Sequence, residues 1–275
     1  GFQVVNPQEA PMGPEPQGLA FSKEHVMAKI LLAGESWSTT SIHTKGFDSF
    51  FTSSYAEGGA DFIAAVERGG HEVDFQPNHV ASEKFPTTLE ELSKYDVVVL
   101  SDIGANTLLL PNSVFGEGKA MPNRLDLLVE WVRAGGSLLM VGGYLSFQGI
   151  EAKANYRNTS LAQVLPVEME IGDDREETPQ GAVPELRGTH AVTANLDAQW
   201  PPVLGYHRLV AREGAEVLAQ VGEHPMLVVD GEGAGRVAAF ASDMGPHWLP
   251  AQFLAWDGFG ATWLQLIGWL ACETD

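Results

Sequence analysis

The sequence predicts an α/β fold: a doubly wound, mostly parallel sheet with antiparallel additions in the C-terminal half. Three observations predict it. Short apolar runs, at Ile30–Gly34, Asp96–Leu100 and Ser137–Val141, lack the alternation of half-exposed strands and read as strands buried on both faces. Segments with helical spacing, stopped by the pairs Gly69-Gly70 and Gly135-Gly136, alternate with them. Near the end of the chain two strand-like runs, Met226–Val229 and Arg236–Ala241, flank Asp230-Gly231-Glu232-Gly233, a hairpin signal.

In chain order, residues 1–26 carry Pro7, Pro11, Pro14 and Pro16 and read as a proline-rich arm, and residues 27–275 as one domain. Ile30–Gly34 is the first strand, and Glu35-Ser36-Trp37 follows it. A polar loop is expected through Thr39, His43, Lys45, Asp48 and Ser53. Ala60–Arg68 has apolar residues at helical spacing, Glu72–Phe75 alternates as a second strand, and Leu89–Ser93 is a short helix. The third strand, Asp96–Leu100, leads into Ser101-Asp102-Ile103-Gly104-Ala105-Asn106. Leu110–Met121, rich in proline and glycine, reads as a loop. Asn123 then caps a helix reaching Ala134, with Leu125, Leu128, Val129 and Val132 on one face. The fourth strand, Ser137–Val141, runs into Gly142-Gly143, where glycine permits the sharp elbow that carries the nucleophile in many α/β enzymes. Here the tip is Tyr144. Leu161–Leu165 is a short helix, Val167–Ile171 is strand-like, and Asp173–Glu177 reads as an exposed acidic turn. Glu216–Val221 adds another strand. Gly260–Cys272 is a closing helix whose Trp263 and Trp269 belong to the core.

Bulk properties narrow the function. A formal net charge of -20 with only 16 Lys+Arg argues against nucleic acid and against anionic membranes. The single cysteine, Cys272, allows no internal disulfide and fits a reducing compartment. No apolar run is long enough to span a bilayer. A cytoplasmic protein is expected, with a small-molecule ligand and self-association as the anticipated partnerships.

Chemistry collects after four strands: Glu35, Ser36 and Trp37; Asp102 with Asn106; Tyr144 with Ser146 and Gln148; and Asp243 with His247 and Trp248. Parallel strand ends share one edge, so these groups should converge in a crevice. His247, Asp243, Asp102 and Tyr144 are the catalytic candidates: the imidazole with either carboxylate for acid–base work, the phenol as hydrogen-bond donor. Glu35, Ser36, Trp37, His43, Asn106, Ser146, Gln148 and Trp248 are the substrate-binding candidates. Aromatic faces beside carboxylates and amides suit a polyhydroxylated ligand. The bland alternatives are that Asp102 and Asp243 cap local turns and that His247 bonds a carbonyl. His43, His247, Asp102 and Asp243 have the donor types for a divalent metal but no diagnostic spacing, so no metal or cofactor is predicted. Ser146 is flanked by Leu145 and Phe147 rather than glycines and is a poor candidate nucleophile.

Several motifs resemble a bacterial glutamine amidotransferase-like family within the class I glutamine amidotransferase-like superfamily: Ala33–Trp37, Ser101–Asn106, Gly142–Gly149, Asp173-Asp174-Arg175 and Ser242–Trp248. The resemblance spans Met27 to Leu270 and implies a flavodoxin-like sheet. Working class I amidotransferases carry Gly-x-Cys-x-Gly at the elbow. Laid on that pattern, Tyr144 stands at the cysteine position and Ser146 at the second glycine. Gln148 matches a glutamine that often follows, and His247 falls in the region of the catalytic histidine without the His-x-Glu pattern. A phenol with an ordinary pKa near 10 is a poor acyl nucleophile at neutral pH. A thioester-forming glutaminase is therefore not expected. Two readings follow: a cysteine-independent hydrolase or isomerase acting on a small polar, sugar-like metabolite, or a non-catalytic metabolite-binding or assembly module. Amidotransferase-like relatives in carbohydrate metabolism favour the first by analogy.

Overall fold

The computed structural model describes residues 27–273; the proline-rich arm, residues 1–26, lies outside them. Strands run in order as β1 (Lys29–Gly34), β2 (Ser36–Lys45), β3 (Asp48–Glu57), β4 (Glu72–Pro77), β5 (Val97–Ser101), β6 (Ser137–Val141) and β7 (Val167–Glu168). They continue as β8 (Arg175–Ala182), β9 (Glu185–Leu186), β10 (Val203–His207), β11 (Val210–Ala211), β12 (Glu216–Val221), β13 (His224–Glu232) and β14 (Gly235–Phe240).

Eight of them form one sheet in the order β4-β1-β5-β6-β14-β13-β12-β9. The first five are mutually parallel, and the last three add on antiparallel. Numbered by their own succession, the parallel strands lie 2-1-3-4-5, the flavodoxin-like order. The apolar runs explain the centre: every residue of β5 and β6 is buried, as is all of β1 except Lys29. Both faces of a strand are covered only when helices lie on both sides of the sheet.

Helices Ala60–Arg68 and Asp257–Leu270 form one such layer, with Phe62 edge-on to Trp263 at 5.1 Å and Trp263 against Phe240 of β14 at 4.9 Å. Trp263 and Trp269 are core residues, 1% and 7% exposed. Burial of each large side chain contributes about 1.5–3 kcal/mol. Helix Arg124–Arg133 begins where expected, the Asn123 side chain accepting hydrogen bonds from the amides of Leu125 (3.0 Å) and Asp126 (3.3 Å).

Three local expectations need correction. The polar loop after Trp37 is a hairpin: β2 and β3 pair from Ser36↔Glu57 to Lys45↔Asp48, turning through Gly46-Phe47 with Gly46 at φ 61°. Serine and threonine dominate its strands and both faces meet solvent, so no apolar alternation announced it. The stretch Asp173–Glu177 is not wholly exposed, because Asp174 has no accessible surface. Arg175 onward is strand β8, paired with β10. The C-terminal hairpin turns later than expected: β13 runs through Asp230-Gly231-Glu232, and Gly233-Ala234 makes the turn. Smaller differences lie in the loops: Leu110–Met121 contains the short helix Asn112–Phe115, and Val167–Ile171 keeps only the two strand residues of β7.

The elbow after β6 requires glycine at Gly143. Its φ is 138°, and an added Cβ would stand 2.9 Å from Cβ of Asp102. Gly143→Ala should lower the unfolding free energy by about 2 kcal/mol. Urea denaturation checks this, and an unchanged midpoint would show that the elbow relaxes freely.

Candidate active site

The carboxyl ends of β1, β5, β6 and β14 lie side by side, and each is followed by a residue expected to matter: Glu35, Asp102, Tyr144 and Asp243. A cavity of about 470 Å³ opens over these ends. Of the twelve candidates, Glu35, Trp37, Asp102, Tyr144, Asp243 and His247 line it, and Leu145, Ile150 and Pro246 complete its wall. It sits where the strand order reverses around β1, the usual ligand position in such sheets.

The backbone is unusual at this edge. Glu35 and Asp102 have φ of 45° and 44°, and His247 has 132°, all regions that non-glycine residues seldom occupy. Strained backbone of this kind persists where the surroundings impose it, and it clusters at functional sites. At Glu35 the surroundings are visible: its amide donates to the Ser101 carbonyl oxygen at 2.9 Å, and its carbonyl accepts from the Gly58 amide at 2.9 Å.

Glu35 is 2% exposed, and the Ser101 hydroxyl donates to its Oε1. Burial pushes its carboxyl well above the ordinary value, and the nearby negative charges of Asp243 and Asp102 push in the same direction. Asp102 is also raised, by burial first. The Leu145 amide donates to its Oδ1 at 2.6 Å and opposes that shift. Asp243 accepts from the amides of Met244 (2.7 Å) and Gly245 (3.2 Å) through Oδ1, the local turn cap that the sequence also allowed. Its Oδ2 lies 3.6 Å from Nδ1 of His247. Interaction with Asp243 raises the His247 pKa above 6.5, partial burial working against it. Asp243 thus caps the turn with one oxygen and orients the imidazole with the other.

Tyr144 sits at the elbow tip. The edge of one ring meets the face of the other in its contact with His247 at 4.6 Å, and the Arg175 guanidinium stands 4.4 Å from its centroid. Burial and neighbouring Glu177 raise the phenol above its usual range, which further disfavours the phenolate a nucleophile would need.

The other six candidates lie outside the cavity lining. The Ser36 hydroxyl accepts from the Asn78 amide at 2.7 Å, and the Ser146 hydroxyl, buried, accepts from the Asp102 amide at 3.0 Å. Gln148 is buried, donating to the Ile171 carbonyl at 3.2 Å and accepting from the Arg157 amide at 3.3 Å. Trp248 is buried beneath the site, its indole N–H donating to Glu177 at 3.1 Å. Asn106 is exposed on the short helix Ala105–Leu109. His43 is out on the β2–β3 hairpin, stacked on Phe50 at 4.6 Å. Ser36, Ser146, Gln148 and Trp248 thus hold the walls in place rather than face the space.

Two residues that hold the elbow were not singled out from the sequence. Asp174 and His207 are both fully buried and meet at 2.8 Å. Asp174 also accepts from the amides of Gln148 (3.1 Å) and Gly149 (2.8 Å), and Nε2 of His207 lies 2.9 Å from the Gly143 carbonyl oxygen. The signal for Asp174 was present in the Asp-Asp-Arg motif but hidden by its acidic neighbours. His207, on β10 between Tyr206 and Arg208, carried no local signal. Cys272 lies beyond the C-terminal helix, in a different pocket from the elbow, beside Leu270 and Tyr95. Among the described residues no group of three or more His, Cys, Asp or Glu is arranged to hold a metal ion, and no helix is long and apolar enough to cross a membrane.

The 2-1-3-4-5 sheet and its glycine elbow define an α/β protein of the flavodoxin-like class. The model of the family described as "Putative glutamine amidotransferase" matches residues 29–272, and the chain belongs to that family. Among solved structures it is similar to the Cytoplasmic Protein STM1381 from Salmonella typhimurium LT2, at 46% identity and TM-score 0.85 over 88% of this chain and 99% of that one. It is similar also to the Cytoplasmic Protein STM3548 from Salmonella typhimurium, at 44% identity and TM-score 0.85 over 88% and 98%. A ThuA-like protein from Bacteroides uniformis, 13% identical with TM-score 0.52 over 88% and 91%, shares the fold. No curated protein matches the chain.

The raised Glu35 pKa makes stability depend on pH. The unfolded carboxyl titrates near 4.5 and the native one higher, so the native state holds the proton longer. The stabilisation from a neutral Glu35 is complete below the unfolded value and is lost as pH rises through the native one. Wild type should therefore lose stability relative to Glu35→Gln as pH rises from 4.5 through the raised native value. Parallel stability curves for the two proteins in urea titrations would show that Glu35 is not perturbed.

Proposed function

We propose that the cavity is a cysteine-independent acid–base site, acting as a hydrolase or isomerase on a small, polar, sugar-like metabolite in the cytoplasm. The feature that supports this reading is the pairing, in one cavity, of a buried carboxyl whose proton affinity its surroundings raise with a partly exposed imidazole 3.6 Å from a carboxylate. Groups kept in distinct protonation states by their surroundings are the working parts of acid–base catalysis.

In this reading His247 accepts a proton from a substrate hydroxyl, a carbon acid or a water, and Asp243 steadies the imidazolium that forms. Glu35 delivers its proton to the substrate oxygen on which negative charge develops. The half-exposed imidazole returns its proton to solvent, and Glu35 is reprotonated in the same way. Asp102 fixes the elbow through the Leu145 amide, and so acts by positioning. Tyr144 presents its hydroxyl and ring edge to the ligand, and Trp37 covers an apolar C–H face. The leaning of both relatives' names toward the cytoplasm supports the location proposed here.

The test is a thermal-shift screen of sugars, polyols and related neutral metabolites, with each stabilising compound followed by NMR for turnover. His247→Ala should reduce turnover by about 100-fold or more with far-UV circular dichroism unchanged. The pH profile of kcat/KM should rise as His247 loses its proton and fall as Glu35 does, and Glu35→Gln should abolish the falling limb along with most of the rate. A ligand that binds and is never turned over would move the site to metabolite sensing. Release of ammonia from glutamine, lost when Tyr144 is changed, would overturn the reading altogether.

A further inference from the structure

Among the described residues the β2–β3 hairpin is a two-stranded sheet that pairs with no other strand. All of its strand residues except Ser36 and Ala56 are exposed. The exposed side chains include Ile42 (68%), Phe51 (68%), Phe50 (45%) and, at the tip, Phe47 (109%). Directly opposed residues share a face, which puts Ile42 and Phe51 on one side and His43 and Phe50 on the other. A lone hairpin with apolar side chains on both faces is marginal in water. Ile42 and Phe51 on one face, with Phe47 at the tip, leave apolar side chains in solvent on one side of the hairpin, and exposed apolar surface of this kind marks a contact.

We propose that this hairpin docks against the hairpin of a second copy of the chain. Charge selects that occupant. The chain carries a formal charge of -20, whereas the hairpin holds only Lys45 against Asp48 and Glu57. Two copies therefore repel each other over most of their surface and least here. A basic partner would be drawn to the acidic body instead. The strands contain no proline, and their three charges sit at the ends, so neither edge carries the usual protection against pairing with another strand.

The base of the hairpin borders the cavity. The hairpin leaves the sheet at Trp37, which lines the cavity, and returns at Glu57, next to the Gly58 amide that holds Glu35.

Light scattering of the full chain at micromolar concentration tests this. The expected mass is twice 29.6 kDa or a higher multiple, with association tightening as salt screens the repulsion between acidic bodies. The triple variant Ile42→Ser, Phe47→Ser, Phe51→Ser should run at the monomer mass with unchanged far-UV circular dichroism. Should it misfold, Phe47→Ser alone, altered where the ring touches nothing, should weaken assembly by about tenfold. A monomeric wild type, or an assembly that survives either folded variant unchanged, overturns the proposal. So would a hairpin found to bind lipid vesicles or an unrelated protein while the chain itself stays monomeric.

Discussion

The buried contact between Asp174 and His207 is the constraint on which the site depends. A carboxylate with no accessible surface is costly unless its hydrogen-bonding capacity is filled. Here it is filled by the imidazole and by two amides of the elbow, those of Gln148 and Gly149. The far nitrogen of His207 meets the start of the same elbow at Gly143. One pair, drawn from β10 and the approach to β8, therefore grips both ends of the segment that follows β6. Asp102 grips its middle, through the Leu145 amide and the Ser146 hydroxyl. With the elbow fixed this way, Tyr144 has little choice of position.

Electrostatics at the cavity follow from that geometry. The strand termini bring Asp243 and Asp102 close enough to add to the effect of burial in raising the proton affinity of Glu35, and Asp243 does the same at Asp102. The arrangement suits neutral ligands better than anions, in keeping with an apolar wall of Leu145, Ile150 and Pro246. Family membership supplies the scaffold and leaves the chemistry to the residues present, with Tyr144 at the tip of the elbow.

The sheet was legible in the sequence because strands buried on both faces leave apolar runs that need no partner to be recognised. The convergence of Glu35, Asp102, Tyr144 and Asp243 was legible for the same reason, since parallel strands dictate a common edge. The fine placement was not. Ser146, Gln148 and Trp248 follow the right strands but turn away, the first two to backbone groups and Trp248 to the Glu177 carboxylate. Asp174 was hidden because its partner lies 33 residues away, and an acidic run reads locally as solvated. The hairpin was hidden because exposure on both faces erases the period-two pattern by which a strand is read. What escaped the sequence in each case was a long-range pairing or a surface not covered within one chain.

The protonation state of Glu35 is the most direct test of the central claim that this edge of the sheet is an acid–base site. Infrared difference spectroscopy on wild type and Glu35→Gln at neutral pH reports it without knowledge of the substrate. A protonated-carboxyl band present in wild type and missing from Glu35→Gln is the expected result. A wild-type spectrum with only ionised carboxylates, or a band that survives the substitution, would contradict the account.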